Sequence, residues 1–216
     1  MKKKLVLFGG TGGLGEELGK KLEANYDVLS LGSKKLDITD KLAVDKFFHI
    51  NDIDIVINMA AYNYDSFLHK YEYERYHEID KQLNVNIKGN INILSSCLPY
   101  MKKKQYGRII AASSVLSAAP VVGTSIYSSS KSFIETLYKT AALENATAGV
   151  TCNTIQLGYF DGGLVYKIPQ EIREKIINGI PSKRLGTIEE LYNTIELLIN
   201  TPYINGSVIK INGGMN

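Results

Sequence analysis

The sequence has few residues that could hold a metal ion or form a disulfide. Its 216 residues include two cysteines and three histidines. Cys97 and Cys152 form no CxxC motif, and His69 and His77 stand eight positions apart. Isolated cysteines of this kind are typical of free thiols in a reducing compartment rather than of a disulfide framework. We therefore expect free thiols, no metal site and a cytoplasmic location.

The sequence also lacks a strong charge of one sign and a long apolar run. Its formal net charge is +3, and 44% of its residues are hydrophobic against 22% charged, a balance typical of a globular domain. Apart from a run of lysines at 102–104 the basic residues are spread out, so we predict no nucleic-acid partner. No segment reaches the roughly 18 apolar residues of a membrane span. The apolar run after Lys4 stops at Gly9, too early for a signal peptide, and we expect no membrane partner.

What the chain does contain is an alternation of short apolar runs and amphipathic stretches. Apolar strands separated by helices predict a parallel sheet covered on both faces, and right-handed crossovers leave a doubly wound α/β fold as the main option. We predict a single Rossmann-type domain over residues 1–216, with helices on both faces of a mostly parallel sheet of about seven strands. Strands are predicted at Lys4–Phe8, Asp27–Leu31, Ile53–Asn58, Arg108–Ala112, Val150–Ile155 and Ser207–Ile211, and helices at Gly13–Ala24, Thr39–Ile50, Tyr73–Lys103, Ile126–Asn145, Gln170–Asn178 and Thr187–Asn200.

A glycine-rich turn joins the first predicted strand to the first predicted helix. Residues 9–15 read Gly-Gly-Thr-Gly-Gly-Leu-Gly. Glycines let the backbone turn tightly and approach a pyrophosphate closely, and the helix N-terminus offers free N–H groups to the phosphates. The alternative is a glycine-rich turn without a ligand. We predict a dinucleotide-binding turn formed by Gly9, Thr11, Gly12, Gly13, Leu14 and Gly15.

The end of the second predicted strand bears on which nicotinamide cofactor binds. In Rossmann folds an acid at this place holds the ribose 2′-hydroxyl of NAD, whereas a basic residue accepts the 2′-phosphate of NADP. This sequence has Ser33 and Lys34 there, and no acid. The pattern favours NADP(H). It keeps NAD(H) as an alternative, because Lys34 and Lys35 also fit an ordinary solvated loop.

The segment from Tyr127 to Lys131 carries the central chemical prediction. Residues at i and i+4 share one face of a helix, so an ammonium group is expected beside the Tyr127 phenol. A nearby positive charge favours phenolate, and we therefore expect the pKa of Tyr127 to lie below its usual value of about 10. Such a phenol can give a proton to a carbonyl oxygen as hydride reaches the carbon. Tyr100 and Lys104 have the same spacing, but they lie at a lysine-rich helix end without the serines that surround Tyr127.

The glycine spacing at 9, 13 and 15 and the tyrosine–lysine motif resemble the short-chain dehydrogenase/reductase family, and the resemblance covers essentially the whole chain. It implies that Ser114, thirteen residues before Tyr127, holds the substrate oxygen, and that Asn86 supports the lysine through a proton-relay water. Asn86 alternatively caps or braces its helix. The implied catalytic set is Asn86, Ser114, Tyr127 and Lys131. The implied cofactor contacts add Asp37, Ile38, Asn58, Ala60 and Gly158 to the glycine turn, Ser33, Lys34, Tyr127 and Lys131.

Within that family the sequence looks most like the 3-oxoacyl-[acyl-carrier-protein] reductases. Residues 184–187 and 211–215 carry this likeness, and residues 158–184 have the length of a substrate lid. The likeness implies reduction of a ketone to a secondary alcohol, or the reverse. It also implies that Arg108 is a surface residue that docks an acidic carrier protein, although Ala148 stands where a second arginine is expected.

Two alternatives to this function stay open. The link after Leu31 is too short for the usual helix, which resembles some deoxysugar-nucleotide reductases and keeps a keto-sugar or nucleotide-sugar substrate open. A non-catalytic dinucleotide sensor is the other alternative, but family members with such roles typically lose the tyrosine or the lysine. The resemblance further implies a homotetramer. The apolar residues between Ile87 and Leu98 fit a helix interface between subunits, or equally the domain's own sheet.

Overall fold

The computed structural model describes residues 2–162, 165–166 and 169–215 of the chain. Strands and helices alternate along it, with boundaries close to those predicted. The strands are β1 (Lys4–Phe8), β2 (Asp27–Leu31), β3 (Ile55–Asn58), β4 (Gly107–Ser114), β5 (Val150–Leu157) and β6 (Val208–Ile211). The α-helices are α1 (Gly13–Leu22), α2 (Lys41–Ile50), α3 (Tyr76–Leu83), α4 (Gly89–Lys104), α5 (Ser125–Asn145), α6 (Gln170–Gly179) and α7 (Ile188–Asn200).

The strands form one parallel sheet in the order β2-β1-β3-β4-β5-β6. This confirms the α/β class, but the expectation of about seven strands is wrong, because the described residues form six. Nine residues separate the end of β2 at Leu31 from the start of α2 at Lys41, and Gly32–Lys35 already form a turn within them. A crossover to a further parallel strand needs at least about ten to twelve residues. β2 is therefore left as the edge strand.

Both faces of the sheet are covered by helices. Successive strand residues point to opposite faces. Val6 and Phe8 pack with α2, α4 and α5, whereas Leu5 and Leu7 pack with α1 and α7. Helix α4 contributes Ile93, Leu94, Cys97 and Met101 to the first of these cores. Most of its apolar residues therefore face the domain's own sheet. Within the described part of the chain, none of the helices combines the length and the apolar character needed to cross a membrane.

The predicted helix Tyr73–Lys103 is not a single α-helix in the structure. Helix α3 ends at Leu83, a π-helical turn covers Asn84–Lys88, and α4 begins at Gly89. Such a turn inserts extra backbone into the helix, and it is common at functional sites. The apolar pattern continues across it, so periodicity alone did not show the break. The π turn places Asn86, which is 1% exposed, against the interior.

Arg108 is buried, so the expectation that it lies on the surface to dock a carrier protein is wrong. It is 7% exposed. Its Nε donates to the Ile199 carbonyl oxygen at 3.0 Å, and its Nη1 donates to the carbonyl oxygens of Gly107 and Gly149 at 2.8 and 3.1 Å. The guanidinium thus joins β4 to the end of α7. Its hydrogen-bonding capacity serves the fold.

Candidate active site

The carboxyl ends of the parallel strands lie at one edge of the sheet, where open α/β sheets bind their ligands. Phe8, Asn58 and Ser114 each end a strand on this edge. Ser114 ends β4, Tyr127 and Lys131 lie in α5 after it, and Asn86 lies in the π turn of the segment that follows β3. The described structure therefore brings the sequence-predicted residues to one side of the molecule.

Tyr127 lies in the first turn of α5, and its side chain is half-buried. The helix is started by Thr124, whose carbonyl oxygen accepts from the N–H of Ser128 at 2.7 Å and whose hydroxyl lies 2.8 Å from that of Ser128. Ser114 ends β4, and its hydroxyl interacts with the Tyr127 phenol, whose pKa it lowers. The Ser114 Oγ also accepts from the N–H of Leu116 at 3.2 Å, which fixes its direction.

Lys131 follows one helical turn after Tyr127 and is almost fully enclosed, with 3% of its surface exposed. Its Nζ lies 5.5 Å from the centroid of the Tyr127 ring. It donates to the Ala112 carbonyl oxygen on β4 at 2.7 Å. The predicted i, i+4 pair is thus on one face, but the ammonium is anchored to the strand rather than to the phenolic oxygen.

The pKa of Tyr127 lies on the opposite side of its usual value from the one we expected. Burial raises it to about 12, the Ser114 side chain lowers it, and the negative charge of Asp65 and that of an ionised Tyr159 raise it further. Burial lowers the pKa of Lys131 to about 8, and Glu135 opposes that shift. The cost of burying the phenolate is larger than the effect of the nearby lysine charge, on which the expectation was based.

Asn86 is held by two elements at once. Its Oδ1 accepts from the N–H of Tyr62 and its Nδ2 donates to the Tyr62 carbonyl oxygen, both at 2.8 Å. The same Nδ2 lies 3.1 Å from the Ser130 hydroxyl, next to Lys131. Asn86 therefore joins the segment after β3 to α5.

The glycine turn has the shape that a pyrophosphate needs. Gly9 and Gly13 adopt positive φ angles of 76° and 52°, and a Cβ on Gly15 would lie 2.2 Å from the Gly9 carbonyl oxygen. Gly12 caps α1 without a side-chain hydrogen bond from the described residues, and a Cβ there would meet no atom within 4 Å. The described residues thus leave open space beside Gly12 at the N-terminus of α1, which fits an anionic group.

The predicted 2′-phosphate site lies beside this turn. Ser33 and Lys34 are exposed, in a turn closed by the Lys35 N–H, which donates to the Gly32 carbonyl oxygen at 2.9 Å. A Cβ on Gly32 would lie 2.0 Å from the Thr11 Oγ1. The absence of a side chain at Gly32 therefore allows the two turns to touch, and a serine and a lysine lie next to the glycine turn.

Asp37 and Ile38 form the start of the next loop. The Asp37 Oδ1 accepts from the N–H and the hydroxyl of Thr39, both at 2.9 Å. Ile38 is 5% exposed and packs against Gly89, where a Cβ would lie 2.6 Å from the Ile38 Cδ1. The structure thus shows local structural roles for both, beside the cofactor contacts that the family resemblance implies.

Asn58, Ala60 and Gly158 complete the predicted cofactor contacts. The Asn58 Oδ1 accepts from the Ala60 N–H at 3.0 Å, and its Nδ2 donates to the Asn90 Oδ1 at 2.9 Å. A Cβ on Gly9 would lie 2.6 Å from the Ala60 nitrogen, so this loop packs directly on the glycine turn. Gly158 directly follows β5, and a Cβ there would lie 2.7 Å from the Cα of Asn212.

Sequence reasoning missed three ionisable residues close to the catalytic pair. Asp65 and Tyr159 act on the pKa of Tyr127, and Glu135 acts on that of Lys131. The spacing from Lys131 to Glu135 repeats the i, i+4 spacing of the tyrosine–lysine pair, and this signal could have found the glutamate. Asp65 and Tyr159 come from two loops, and a local pattern does not show that the loops converge.

Comparisons with known proteins place the chain among reductases. A family model described as enoyl-(acyl carrier protein) reductase matches residues 12–216. The 3-oxoacyl-[acyl-carrier-protein] reductase FabG of Buchnera aphidicola subsp. Baizongia pistaciae is 30% identical, over 99% of this chain and 97% of its own length. The corresponding reductase MabA of Mycobacterium avium is 26% identical, over 100% and 90%. The solved structure of ElxO with NADP bound has a TM-score of 0.89 at 22% identity, covering 100% of this chain and 99% of that one.

The pH dependence of folding stability tests the burial of Lys131. Its pKa is 10.5 in the unfolded chain and about 8 in the fold, so the unfolded chain holds the extra proton between these values and stability rises with pH across this window. From about pH 7 to about pH 9.5 we expect wild type to gain about 2 kcal/mol relative to Lys131→Met, measured by urea unfolding.

Lys139→Met is the matched control, because Lys139 is exposed on the same helix. This variant should follow the wild-type pH dependence. A wild-type curve parallel to that of Lys131→Met would contradict the burial of the ammonium group.

Proposed function

Because this chain belongs to the short-chain dehydrogenase/reductase family, we propose that it is an NADP(H)-dependent enzyme that reduces the ketone of a 3-oxoacyl thioester to a secondary alcohol. One observation carries the proposal. Tyr127 interacts with Ser114 and lies one helical turn before the buried Lys131, at the sheet edge that also holds the glycine turn. This is the arrangement that carbonyl reduction with a bound dinucleotide needs.

The cofactor proposal is supported by the shape of the glycine turn and by the relatives. Gly12 leaves the α1 N-terminus open, and Thr11 packs against the turn that carries Ser33 and Lys34. The structural neighbour ElxO has NADP bound. In this chain, the N–H groups of α1 would hold the pyrophosphate, and Ser33 and Lys34 would hold a 2′-phosphate. When bound, the reduced cofactor supplies the hydride.

Tyr127 acts as the general acid in the direction of reduction. With its pKa raised to about 12, the phenol keeps its proton at neutral pH and can give it to the carbonyl oxygen as that oxygen becomes negative. The Ser114 hydroxyl is within reach of the same oxygen and holds it in line. The proton thus leaves the phenol, the oxygen becomes a hydroxyl, and a phenolate is left on Tyr127.

Lys131 acts after the proton has left. A phenolate forms in a buried site, and the ammonium on the same helix face offsets its negative charge. The Ala112 carbonyl oxygen holds the ammonium in place. Asn86 braces α5 beside Lys131 through the hydroxyl of Ser130.

The substrate class comes from the relatives. Both curated reductases act on 3-oxoacyl groups carried by acyl carrier protein, but Arg108 is buried here and does not dock such a carrier. We therefore propose the thioester itself as the recognised group. Helix α6 has no buried residue and lies in the predicted lid, of which residues 163, 164, 167 and 168 lie outside the described part of the chain. The relatives do not favour a keto-sugar. We further propose that residues 158–184 form a lid over the substrate, that the protein is a homotetramer and that it is cytoplasmic.

Loss of the Tyr127 hydroxyl tests this function. With NADPH and an acetoacetyl thioester, Tyr127→Phe should lower kcat by at least about 100-fold, because a positioned general acid contributes about that much. The assay follows the loss of nicotinamide absorbance, and binding of NADPH should be kept.

Tyr100→Phe is the matched control, since Tyr100 and Lys104 have the same spacing on another helix. It should reduce the thioester at the wild-type rate. A Tyr127→Phe enzyme with wild-type turnover would contradict the assigned role.

Removing the Lys34 charge tests the preference for NADP(H). Lys34→Ala should raise the KM for NADPH about tenfold, the equivalent of one lost ion pair with a phosphate. It should leave the KM for NADH unchanged, because NADH has no 2′-phosphate. Lys35→Ala serves as the control. An equal effect of Lys34→Ala on both cofactors would remove the assignment.

A further inference from the structure

Behind the catalytic serine lies a cluster of polar side chains around one carboxylate. Glu135 follows Lys131 by one turn on α5 and is half-buried. Its Oε1 accepts from the hydroxyls of Ser113 and Ser117 at 2.5 and 2.6 Å. The Gln156 Nε2 lies 3.4 Å from the same oxygen and donates to the Ser117 hydroxyl at 3.0 Å. We name these four residues the Glu135 cluster.

The cluster holds the backbone on both sides of Ser114. Ser113 precedes it on β4, and Ser117 follows it in a 3-10 turn, with its hydroxyl 2.7 Å from the Ser114 carbonyl oxygen. Gln156 stands opposite Ser113 in the β4–β5 pairing. The carboxylate therefore joins α5, the ends of two strands and the turn after β4. The Ser114 hydroxyl itself is not bonded to the cluster among the described contacts, and it accepts from the N–H of Leu116.

The same carboxylate acts on Lys131, which precedes it by one turn on α5. On α5 the titratable neighbours of Lys131 are Tyr127 and Glu135, and β4 offers only the Ala112 carbonyl oxygen and Ser113. The π turn brings the uncharged Asn86 to Ser130. Burial lowers the pKa of Lys131, and the charge of Glu135 raises it.

The acidic side chain of α3 in this region is already bound. The Glu78 Oε2 accepts from the Tyr62 hydroxyl at 2.6 Å. Among the described residues, no lysine, arginine or histidine forms an ion pair with Glu135 within 4 Å. Lys131 is therefore the cation whose pKa the charge of Glu135 affects.

We propose that Glu135 is a positioning residue for the reaction proposed above, which fixes Ser114 from behind through Ser113, Ser117 and Gln156 and offsets the buried positive charge of Lys131. The proposal rests on the proposed function, because it assigns Glu135 to the same catalytic pair. A purely structural carboxylate would stabilise the fold without affecting the titration of the lysine. The two roles, geometry and charge, are separable by substitution.

Glu135→Gln removes the charge and keeps an oxygen that can accept from the two serines. We expect its kcat at low pH to stay within about twofold of wild type. The fall of kcat at high pH, where Lys131 loses its proton, should occur about one pH unit lower than in wild type, since an opposite charge at this range shifts a pKa by about that much. Glu144→Gln, at an exposed position of the same helix, should leave the pH at which kcat falls unchanged.

The double variant Ser113→Ala with Ser117→Ala tests the geometry alone. It keeps the charge of Glu135, so the pH at which kcat falls should be the same as in wild type. Its kcat should fall about tenfold or more, because a small displacement of a catalytic group has effects of this size. The KM for NADPH should be unchanged. The proposal would be overturned if kcat of Glu135→Gln falls at the same pH as that of wild type and the double variant has wild-type kcat.

A measurement without turnover separates this proposal from the proposed function. In protein labelled with ¹³C at lysine Cε, the Lys131 signal is assigned with Lys131→Arg and titrated by NMR. Its midpoint should be lower in Glu135→Gln than in wild type, and equal midpoints would overturn the charge role. If wild type reduces no thioester but the Lys131 midpoint is still lower in Glu135→Gln than in wild type, the proposed substrate is refuted and the charge role of Glu135 is kept.

Discussion

The burial of one ammonium group is the constraint on which this edge of the sheet depends. Lys131 is enclosed between α5 and β4, where water cannot solvate its charge, and its pKa falls accordingly. The surrounding structure supplies substitutes for water. The Ala112 carbonyl oxygen accepts from Nζ, and the carboxylate of Glu135 lies one turn further along the helix. The same burial raises the pKa of Tyr127, so the site holds a protonated phenol next to a cation that can offset its later negative charge.

The parallel sheet makes this arrangement possible. Since all six described strands run in one direction, the glycine turn after β1, the loop after β3 and Ser114 at the end of β4 meet at one edge. Close backbone packing fixes their distances. Gly9 leaves no room for a Cβ beside Ala60, and Gly15 leaves none beside Gly9. The fold thereby brings a phosphate-binding helix end and a proton donor to the same side of the molecule.

Much of this could be predicted from the sequence, because the relevant signals are local. The apolar strand runs, the glycine turn and the tyrosine–lysine spacing each act within a few residues. The π turn at Asn84–Lys88 could not be read, since the apolar pattern runs through it without a break. The raised pKa of Tyr127 and the buried state of Arg108 depend on how much water distant segments exclude, which no local pattern contains. The expected number of strands was too high because the link after β2 is too short to hold a crossover to a further strand.

Hydride transfer itself is the most direct measure of the proposed chemistry. Wild-type protein would be incubated with an acetoacetyl thioester and NADPH carrying deuterium at both nicotinamide C4 positions, and the product analysed by mass spectrometry. The mechanism predicts one deuterium on the carbinol carbon of each 3-hydroxyacyl product. Product without deuterium, or NADPH that binds and stays unoxidised with this ketone, would contradict it.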